Sequence, residues 1–315
     1  MTMQLRDPYL VAAWPGMGSV ALAAASYLVS KLEAKTIEEV PPENYFDVSA
    51  VVIEGGVISR VRFPRSVFFG WKSPSSGGRD LLLFVSEAQP TWRGHEYCDR
   101  VLDVAARHGV QQIFTFAAAP TPIHPRAKPR VLAATNDRTL LPRVREEGLS
   151  VLEEGQISGL NGVLLGSALA RGLPGLCLLG EIPFYAVGVP NPKASLAVLE
   201  VFGQLTGIEI DFTELREQSR AVEEGLVQLL EQAQAAGAAP PQSDDETPSF
   251  TPPSVEEDAE ARITPAVRKR IEELFRRAQT DRSLALILKQ ELDRHGCFKE
   301  YEDRFLDLFK KGERS

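Results

Sequence analysis

The feature that most constrains the fold is the segment at residues 10–20, where a short apolar run leads through Pro15-Gly16-Met17-Gly18 into an alanine-rich stretch. A strand that passes through a glycine turn into a helix is the usual start of an α/β domain, and the turn then lies at the carboxyl edge of a parallel sheet. Glycine lets the backbone turn tightly there and approach whatever lies at that edge. The segment therefore predicts the fold class and the place of a binding site, but it does not indicate an activity.

Apolar runs that suit strands alternate with patterns that suit helices over most of the chain. Strands are predicted at residues 9–13, 36–40, 80–86, 111–117, 131–135 and 173–179, and helices at 19–32, 92–108, 137–147, 159–170 and 192–206. A last helix is predicted to follow the capping box at residues 211–214 and to reach about residue 235. This alternation predicts an α/β fold with three α/β/α layers around a mostly parallel sheet. Right-handed crossovers then bring the loops that begin at Trp14, Glu87, Ala118 and Gly180 to one edge of that sheet.

The composition changes after the last of these helices and divides the chain into three parts. Residues 1–236 are predicted to form the α/β/α domain. Residues 237–262 are rich in alanine, proline, serine and acidic side chains, which predicts a flexible acidic and proline-rich linker. In residues 263–315, apolar side chains such as Ile271 and Phe275 recur at helical spacing, which predicts a small helical module. A lone core of about 50 residues is marginal, so we expect this helical appendage to pack on another surface.

Composition also excludes several classes of function. The net charge of −8 argues against nucleic-acid binding, which needs clustered cations. No apolar stretch approaches the roughly 20 residues of a membrane span, and the N-terminal residues do not resemble a secretory signal. The three cysteines, Cys98, Cys177 and Cys297, lie far apart and predict reduced thiols. We therefore expect a cytoplasmic protein that binds neither nucleic acid nor membrane.

Ten residues near the predicted strand ends are candidates for a ligand pocket. Gly16 and Gly18 form half of a dinucleotide-binding fingerprint, and Asn161 lies in Gly159-Leu160-Asn161-Gly162, which opens a helix whose free N–H groups suit an anion. Most of the others follow buried strands, and His124 lies in the long proline-rich loop that follows Ala117. The candidates are Trp14, Gly16, Gly18, Glu87, Gln89, His124, Asn161, Gly180, Glu181 and Tyr185.

Each of these candidates also has a purely structural interpretation. The glycine turn suits close packing of a strand on a helix, Asn161 suits a capped helix start, and Glu87 and Glu181 suit carboxylates that hold neighbouring loops by their backbone amides. The sequence contains no G-x-S-x-G, no phosphate-binding G-x-x-x-x-G-K-[ST] and no histidine spacing typical of a metal site. These absences predict no catalytic residue, no metal and no cofactor, and favour a protein that is not an enzyme.

One further motif lies in a β-rich stretch at residues 57–71, which is interrupted by Phe63-Pro64-Arg65 and predicts a hairpin or a bent edge strand. Arg60, Arg62 and Arg65 alternate there with apolar side chains. On an exposed strand they would form a basic ridge that suits acidic groups of a partner. The alternative is an edge strand that charge protects from aggregation.

Four segments together resemble the proteasome assembly chaperone 2 family in its archaeal and bacterial branch. They are residues 14–18 (WPGMG), 80–90 (from DLLL to EAQP), 159–162 (GLNG) and 180–185 (GEIPFY), and the resemblance covers about residues 8–220. It implies an α/β/α fold related to nucleoside phosphorylases, self-association that is often trimeric, and, in the best-understood members, help in assembling proteasome rings. One departure is the end of the sequence, Arg314-Ser315, where archaeal members that dock on proteasomes have a hydrophobic residue, tyrosine and any residue.

Two hypotheses follow. The first is a non-enzymatic, homo-oligomeric protein of the assembly-chaperone kind, a homotrimer by resemblance, whose partners are its own copies and a proteasome-like or other ring-forming protein. The second is a protein or enzyme that takes a nucleoside, nucleotide or other small anion at the carboxyl edge of the sheet, which is where ligands bind in open α/β sheets.

Overall fold

The computed structural model describes residues 3–47, 51–59 and 61–235, together with residues 271, 272, 274–277, 288, 292, 301 and 304. The chain divides into two compact units, Met1–Phe250 and Thr251–Ser315. The first unit carries the sheet and the candidate site. Within the described residues, no helix is long and apolar enough to span a bilayer.

An eight-stranded sheet with the order β2-β5-β6-β1-β7-β10-β8-β9 forms the middle of the first unit, and β3 and β4 form a separate hairpin. The strands are β1 (Tyr9–Ala13), β2 (Lys35–Glu39), β3 (Ile53–Glu54), β4 (Val57–Ile58), β5 (Ser66–Trp71), β6 (Leu81–Ser86), β7 (Gln112–Thr121), β8 (Val131–Thr135), β9 (Ser150–Val151) and β10 (Gly175–Pro183).

The four central strands, β6, β1, β7 and β10, are parallel. All of β1 and all of β10 are buried, as expected for strands with helices on both faces. The flanks are mixed, because β2 with β5, β5 with β6, and β8 with β10 are antiparallel pairs. The predicted α/β class with a sheet between helical layers is therefore confirmed, with a parallel centre and antiparallel joints beside it.

Helices cover both faces of the sheet. On one face, α1, α3, α5 and α6 bury a core that contains Phe114, Phe116 and Phe202. On the other face, α2 and α4 pack against Trp14 and Phe84. The helices are α1 (Val20–Lys31), α2 (Gly94–Arg107), α3 (Leu141–Glu146), α4 (Leu160–Ala170), α5 (Pro192–Thr206) and α6 (Thr213–Ala235).

Two strands extend further than the sequence predicts. Ala118 and Gly180 were expected in loops, but β7 continues to Thr121 and β10 to Pro183, and Gly180 lies opposite Ala118 in the sheet. The extension comes from pairing, because Gly180 also lies opposite Val131 of the antiparallel neighbour β8. The prediction of loops at these two positions is therefore wrong, and both residues are part of the sheet.

The β-rich stretch at residues 57–71 also differs from its prediction. Val57 pairs backward with Glu54, across a Gly55-Gly56 turn, and forms the β3–β4 hairpin. Strand β5 then lies between β2 and β6 inside the large sheet. The stretch is therefore half of an earlier hairpin followed by an interior strand, and not a bent edge strand.

In the second unit, Ile271, Phe275, Leu288 and Leu292 are helical and buried. Phe275 stacks on Tyr301 with ring centroids 5.7 Å apart. The predicted linker at residues 237–262, most of the predicted module at 263–315, Cys297 and the terminal residues 312–315 lie outside the described residues. The predicted domain boundaries stay predictions.

Candidate functional site

The site is built around the turn that follows β1. Met17–Ser19 form a short 3₁₀ turn, and Gly18 has a φ of +59°, a left-handed conformation that favours glycine. The Gly18 N–H donates to the carbonyl of Val187 at 2.8 Å, and its carbonyl accepts from the Asn191 N–H at 2.8 Å. A Cβ on Gly18 would lie 3.3 Å from Cδ1 of Ile182. The turn is therefore held tightly against the loop after β10, as the structural interpretation of this glycine predicts.

Asn161, the second residue of α4, connects the first turn of that helix to the end of β1. It is 4% exposed. Its Oδ1 accepts from the Trp14 N–H at 3.1 Å, and its Nδ2 donates to the Trp14 carbonyl at 3.3 Å. The Trp14 ring itself is buried, with its centroid 5.2 Å from that of Phe84 and 6.3 Å from that of Tyr97. The amide of Asn161 thus continues the hydrogen bonding of the sheet one residue beyond the strand.

Gln89, in the loop after β6, makes a second such connection. Its Nε2 donates to the Pro15 carbonyl at 2.8 Å, and its Oε1 accepts from the Leu160 N–H at 3.0 Å. Gly159 has a φ of +74°, which favours glycine, and a Cβ there would lie 2.9 Å from the Gln89 Nε2. Two side-chain amides therefore tie the start of α4 to the loops after β1 and β6, which are two of the four loops that the sequence predicted to meet.

A cleft of about 200 Å³ opens beside these amides. Three of the predicted pocket residues line it, namely Gly16, Gln89 and Asn161. The other residues that line it are Met17, Ala21, Ala117, Ala118, residues 156–158, Gly159 and Leu179. Most of these are small or apolar and carry no motif, which is why sequence reasoning missed them. Two of them did have a signal in the sequence, since Met17 lies within the glycine turn and Gly159 lies in the segment that contains Asn161.

Glu181 lies apart from this cleft, on the part of β10 that pairs with β7. Its carboxylate is 3% exposed and is bound by Arg130, whose backbone N–H donates to Oε2 at 2.9 Å and whose Nη2 donates to Oε1 at 2.6 Å. Burial alone would raise the pKa of Glu181, but the hydrogen bonds and the charge of Arg130 outweigh it and lower the pKa. The group is therefore ionised at neutral pH and suits a structural anchor better than a general acid.

His124 shares a small recess with Glu181 and Lys193. The recess holds about 10 Å³, about the room for one water molecule. The His124 Nδ1 accepts from the Arg126 N–H at 3.1 Å, and Lys193 Nζ donates to the Pro125 carbonyl at 2.7 Å. This second group of side chains fixes the loop between β7 and β8 on α5.

Three predicted pocket residues take other positions. Glu87 accepts from the Arg65 N–H at 3.0 Å and from Arg62 Nη2 at 2.8 Å. Gly180 is packed against α5, since a Cβ there would lie 2.9 Å from the carbonyl oxygen of Ala194. Tyr185 is partly exposed in the turn after β10. The ten candidates therefore belong to several local structures near the carboxyl edge of the sheet, and they do not line a single pocket.

The two described cysteines are buried in the core that α2 and α4 cover. Burial raises the pKa of Cys98 and that of Cys177 to about 12. A thiol with such a pKa is not a nucleophile at neutral pH. Among the described residues, no three histidine, cysteine, aspartate or glutamate side chains are grouped as metal ligands would be.

Apolar side chains are exposed on the two loops that the Gly18 hydrogen bonds join. Met17, Tyr185, Val187 and Val189 are between 38% and 42% exposed. We call these four residues the corner patch. The nearby polar side chains of Gln89 and Asn161 form hydrogen bonds within this protein, whereas the four exposed side chains of the corner patch are apolar. Such an arrangement suits contact with another protein better than chemistry on a small substrate.

Comparisons with known proteins agree on one family. The model of the PAC2 family matches residues 10–230. The chain is similar to the crystal structure of Pyrococcus furiosus PbaB, an archaeal proteasome activator, with 30% identity, a TM-score of 0.63, and coverage of 73% of this chain and 96% of that one. A PAC2 family protein from Streptomyces avermitilis is 26% identical, with a TM-score of 0.63 over 74% of this chain and all of that one. An uncharacterized protein of Methanocaldococcus jannaschii is 25% identical over 253 residues, 76% of this chain and 92% of the relative.

Proposed function

This chain belongs to the PAC2 family, and on that premise we propose that it is a chaperone-like protein that acts by binding proteins and not by turnover. Its partners are further copies of itself and a proteasome-like ring. The similarity to PbaB, described as a proteasome activator, supports this partner, because the match covers nearly all of that protein.

The proposal rests on how the side chains at the carboxyl edge are bonded and exposed. Asn161, Gln89 and Glu181 are the polar groups best placed for chemistry, and each is bonded to backbone or side chains of this protein. Exposed apolar groups, the corner patch, lie beside them. Contiguous exposed apolar groups rimmed by polar ones mark surfaces that other proteins cover.

The test is binding of the full chain to the proteasome of its source organism, followed by co-sedimentation with assembled rings and with separate ring subunits. The double variant Val187→Asp, Val189→Asp places charge on the corner patch and is expected to abolish association. Leu229→Asp on α6 is the matched control, because Leu229 is also exposed but lies outside the patch. A wild-type chain that associates with neither rings nor subunits would overturn the proposal.

The cleft of about 200 Å³ supports a second candidate, the binding of a small ligand beside the first turn of α4. A thermal-shift screen with nucleosides, nucleotides and phosphate tests it. A ligand at 100 times its dissociation constant stabilises the folded state by about 2.7 kcal/mol. Ser158→Tyr, which places a ring at the rim of the cleft, serves as the control and should abolish the shift. A shift that disappears in this variant would favour this second function over the first.

A further inference from the structure

The most exposed apolar element of the first unit is the β3–β4 hairpin. Ile53, Val57 and Ile58 are 66%, 69% and 66% exposed. The turn between the strands has φ values of +58° at Gly55 and +80° at Gly56, the two positive values of a type I′ turn that closes a two-residue hairpin. Within the described residues, β3 and β4 pair with each other and not with the large sheet. A two-stranded hairpin is marginal in water, so an apolar one is expected to be covered.

The charge next to the hairpin is positive. Residues 51–65 contain Arg60, Arg62 and Arg65 and a single glutamate. Arg62 bonds Glu87 and Arg65 bonds Glu39, but all four of these side chains are at least 46% exposed. Exposed ion pairs contribute little to stability in water, so these two pairs cost little to break. The hairpin is therefore exposed and apolar, and two exposed arginines, Arg62 and Arg65, follow it in the chain.

A groove of about 300 Å³ lies along α4 and has the opposite character. Leu152, Ile157 and Leu165 are among its apolar lining residues, and Glu153 and Glu154 also line it. Glu153 pairs with Arg145 at 3.6 Å, and both of these side chains are at least 59% exposed. Residues 145–155 contain four glutamates and one arginine. Helix α4 has no charged side chain between its ends, and Val163 and Leu169 on it are exposed, although a helix that is apolar all round is normally buried.

The hairpin and the groove lie at opposite ends of the sheet. The hairpin connects β2 to β5, the first two strands in the sheet order, while β8 and the segment after β9, the last two strands, line the groove. Seven steps between neighbouring strands separate those ends, which is roughly 34 Å at about 4.8 Å a step. The two surfaces therefore belong to opposite ends of the strand order, and they are complementary in character, because one is an apolar hairpin followed by arginines and the other is an apolar groove lined by two glutamates.

We propose that the hairpin of one copy docks into the α4 groove of the next copy, with its arginines facing Glu153 and Glu154. This inference rests on the proposed self-association and names the surfaces that make it. The contact is head-to-tail, because each copy uses a different surface on each side. Head-to-tail contacts produce a ring when the rotation between copies closes.

Two variants, each defective in one surface, test the contact. Val57→Asp with Ile58→Asp puts charge on the hairpin. Gly166→Arg puts a long side chain in the groove, at an exposed helical position where a Cβ meets nothing within 4 Å. Leu229→Asp is the control, because it changes an equally exposed apolar side chain on neither surface. Circular dichroism and thermal melting establish that each variant is folded.

Sedimentation velocity of the full chains then gives the result. The wild type and the control are expected as multiples of the 34.6 kDa chain, and each surface variant as a single chain. Mixing the hairpin variant with the groove variant is expected to form a dimer and nothing larger, since the intact groove of one takes the intact hairpin of the other. Surface variants that keep the wild-type mass, or a mixture that stays as single chains, would overturn the inference and leave the proposed function in place. A wild type of single-chain mass would overturn both this contact and self-association. Variants that keep the mass but no longer bind the proteasome ring would assign the hairpin to that partner and overturn the self-contact.

Discussion

Replacing Asn161 with alanine tests whether the polar side chains at the carboxyl edge hold the fold together. Alanine removes the acceptor of the Trp14 N–H, at 3.1 Å, and the donor to the Trp14 carbonyl, at 3.3 Å. Trp14 is fully buried, so both of its backbone groups lose the buried partner that the Asn161 side chain supplies. The change therefore deletes the connection between β1 and α4 without adding a new group.

The expected loss follows from these two bonds. A buried group left without a partner costs about 1–3 kcal/mol, and the longer of the two bonds contributes at the low end of that range. We expect the free energy of unfolding to fall by about 2–3 kcal/mol in total. For a domain of this size about 1 kcal/mol corresponds to about 2–4 °C, so the melting temperature should fall by roughly 4–12 °C.

Urea denaturation and calorimetry measure both quantities. The matched control is Val163→Ala, two residues later on α4 at an exposed position, which should stay within about 0.5 kcal/mol of the wild type. In Asn161→Asp, burial should raise the pKa of the new carboxyl, so that variant should gain stability as pH falls and the carboxyl becomes protonated. An alanine variant as stable as the control would refute the structural role of this side chain.

Three further results are expected. Gly18→Ala should lose about 1–2 kcal/mol in urea denaturation, because an L-residue is strained at a left-handed φ of +59°, and an unchanged value would contradict this. Burial raises the pKa values of Cys98 and Cys177 to about 12, so these two thiols per chain should react with a thiol reagent at pH 8 only after unfolding, and rapid reaction of either in the native protein would be inconsistent with its burial. Hydrogen bonds from Thr213 lower the pKa of Asp211 to about 2, so its stabilisation is present above the unfolded value of about 3.9 and is lost as pH falls through about 2. An NMR titration should show this pKa move upward in Thr213→Val, and no movement would contradict the assigned cause.

Elements with strong local signals could be predicted from the sequence closely. The predicted strands at residues 9–13 and 131–135 and the predicted helix at 192–206 have the observed bounds. The helix begins where Asn191 accepts from the Ala194 N–H and ends at Gly207 with a φ of +71°, and both signals lie in the neighbouring residues. The ends of β7 and β10 could not be predicted in this way, because pairing with each other and with β8 extends them, and that pairing is not local.

The candidate site was predicted only in part, because most of its contacts are also non-local. Sequence reasoning placed Gln89 and Asn161 beside the glycine turn, and both lie there. Their partners are backbone atoms of other loops, which no motif reveals. Arg130, which binds Glu181, lies 51 positions away from it in the chain and carries no local signal. Trp14 was expected in the pocket, but its ring is in the core, since an apolar ring at the end of a fully buried strand packs beneath α2 and α4.

The mass of the full chain in solution tests most directly the claim that this protein works through protein contacts. Sedimentation equilibrium over a range of micromolar concentrations is predicted to show a defined multiple of 34.6 kDa, with the same multiple in the Leu229→Asp control. A single species of 34.6 kDa throughout that range would contradict the account.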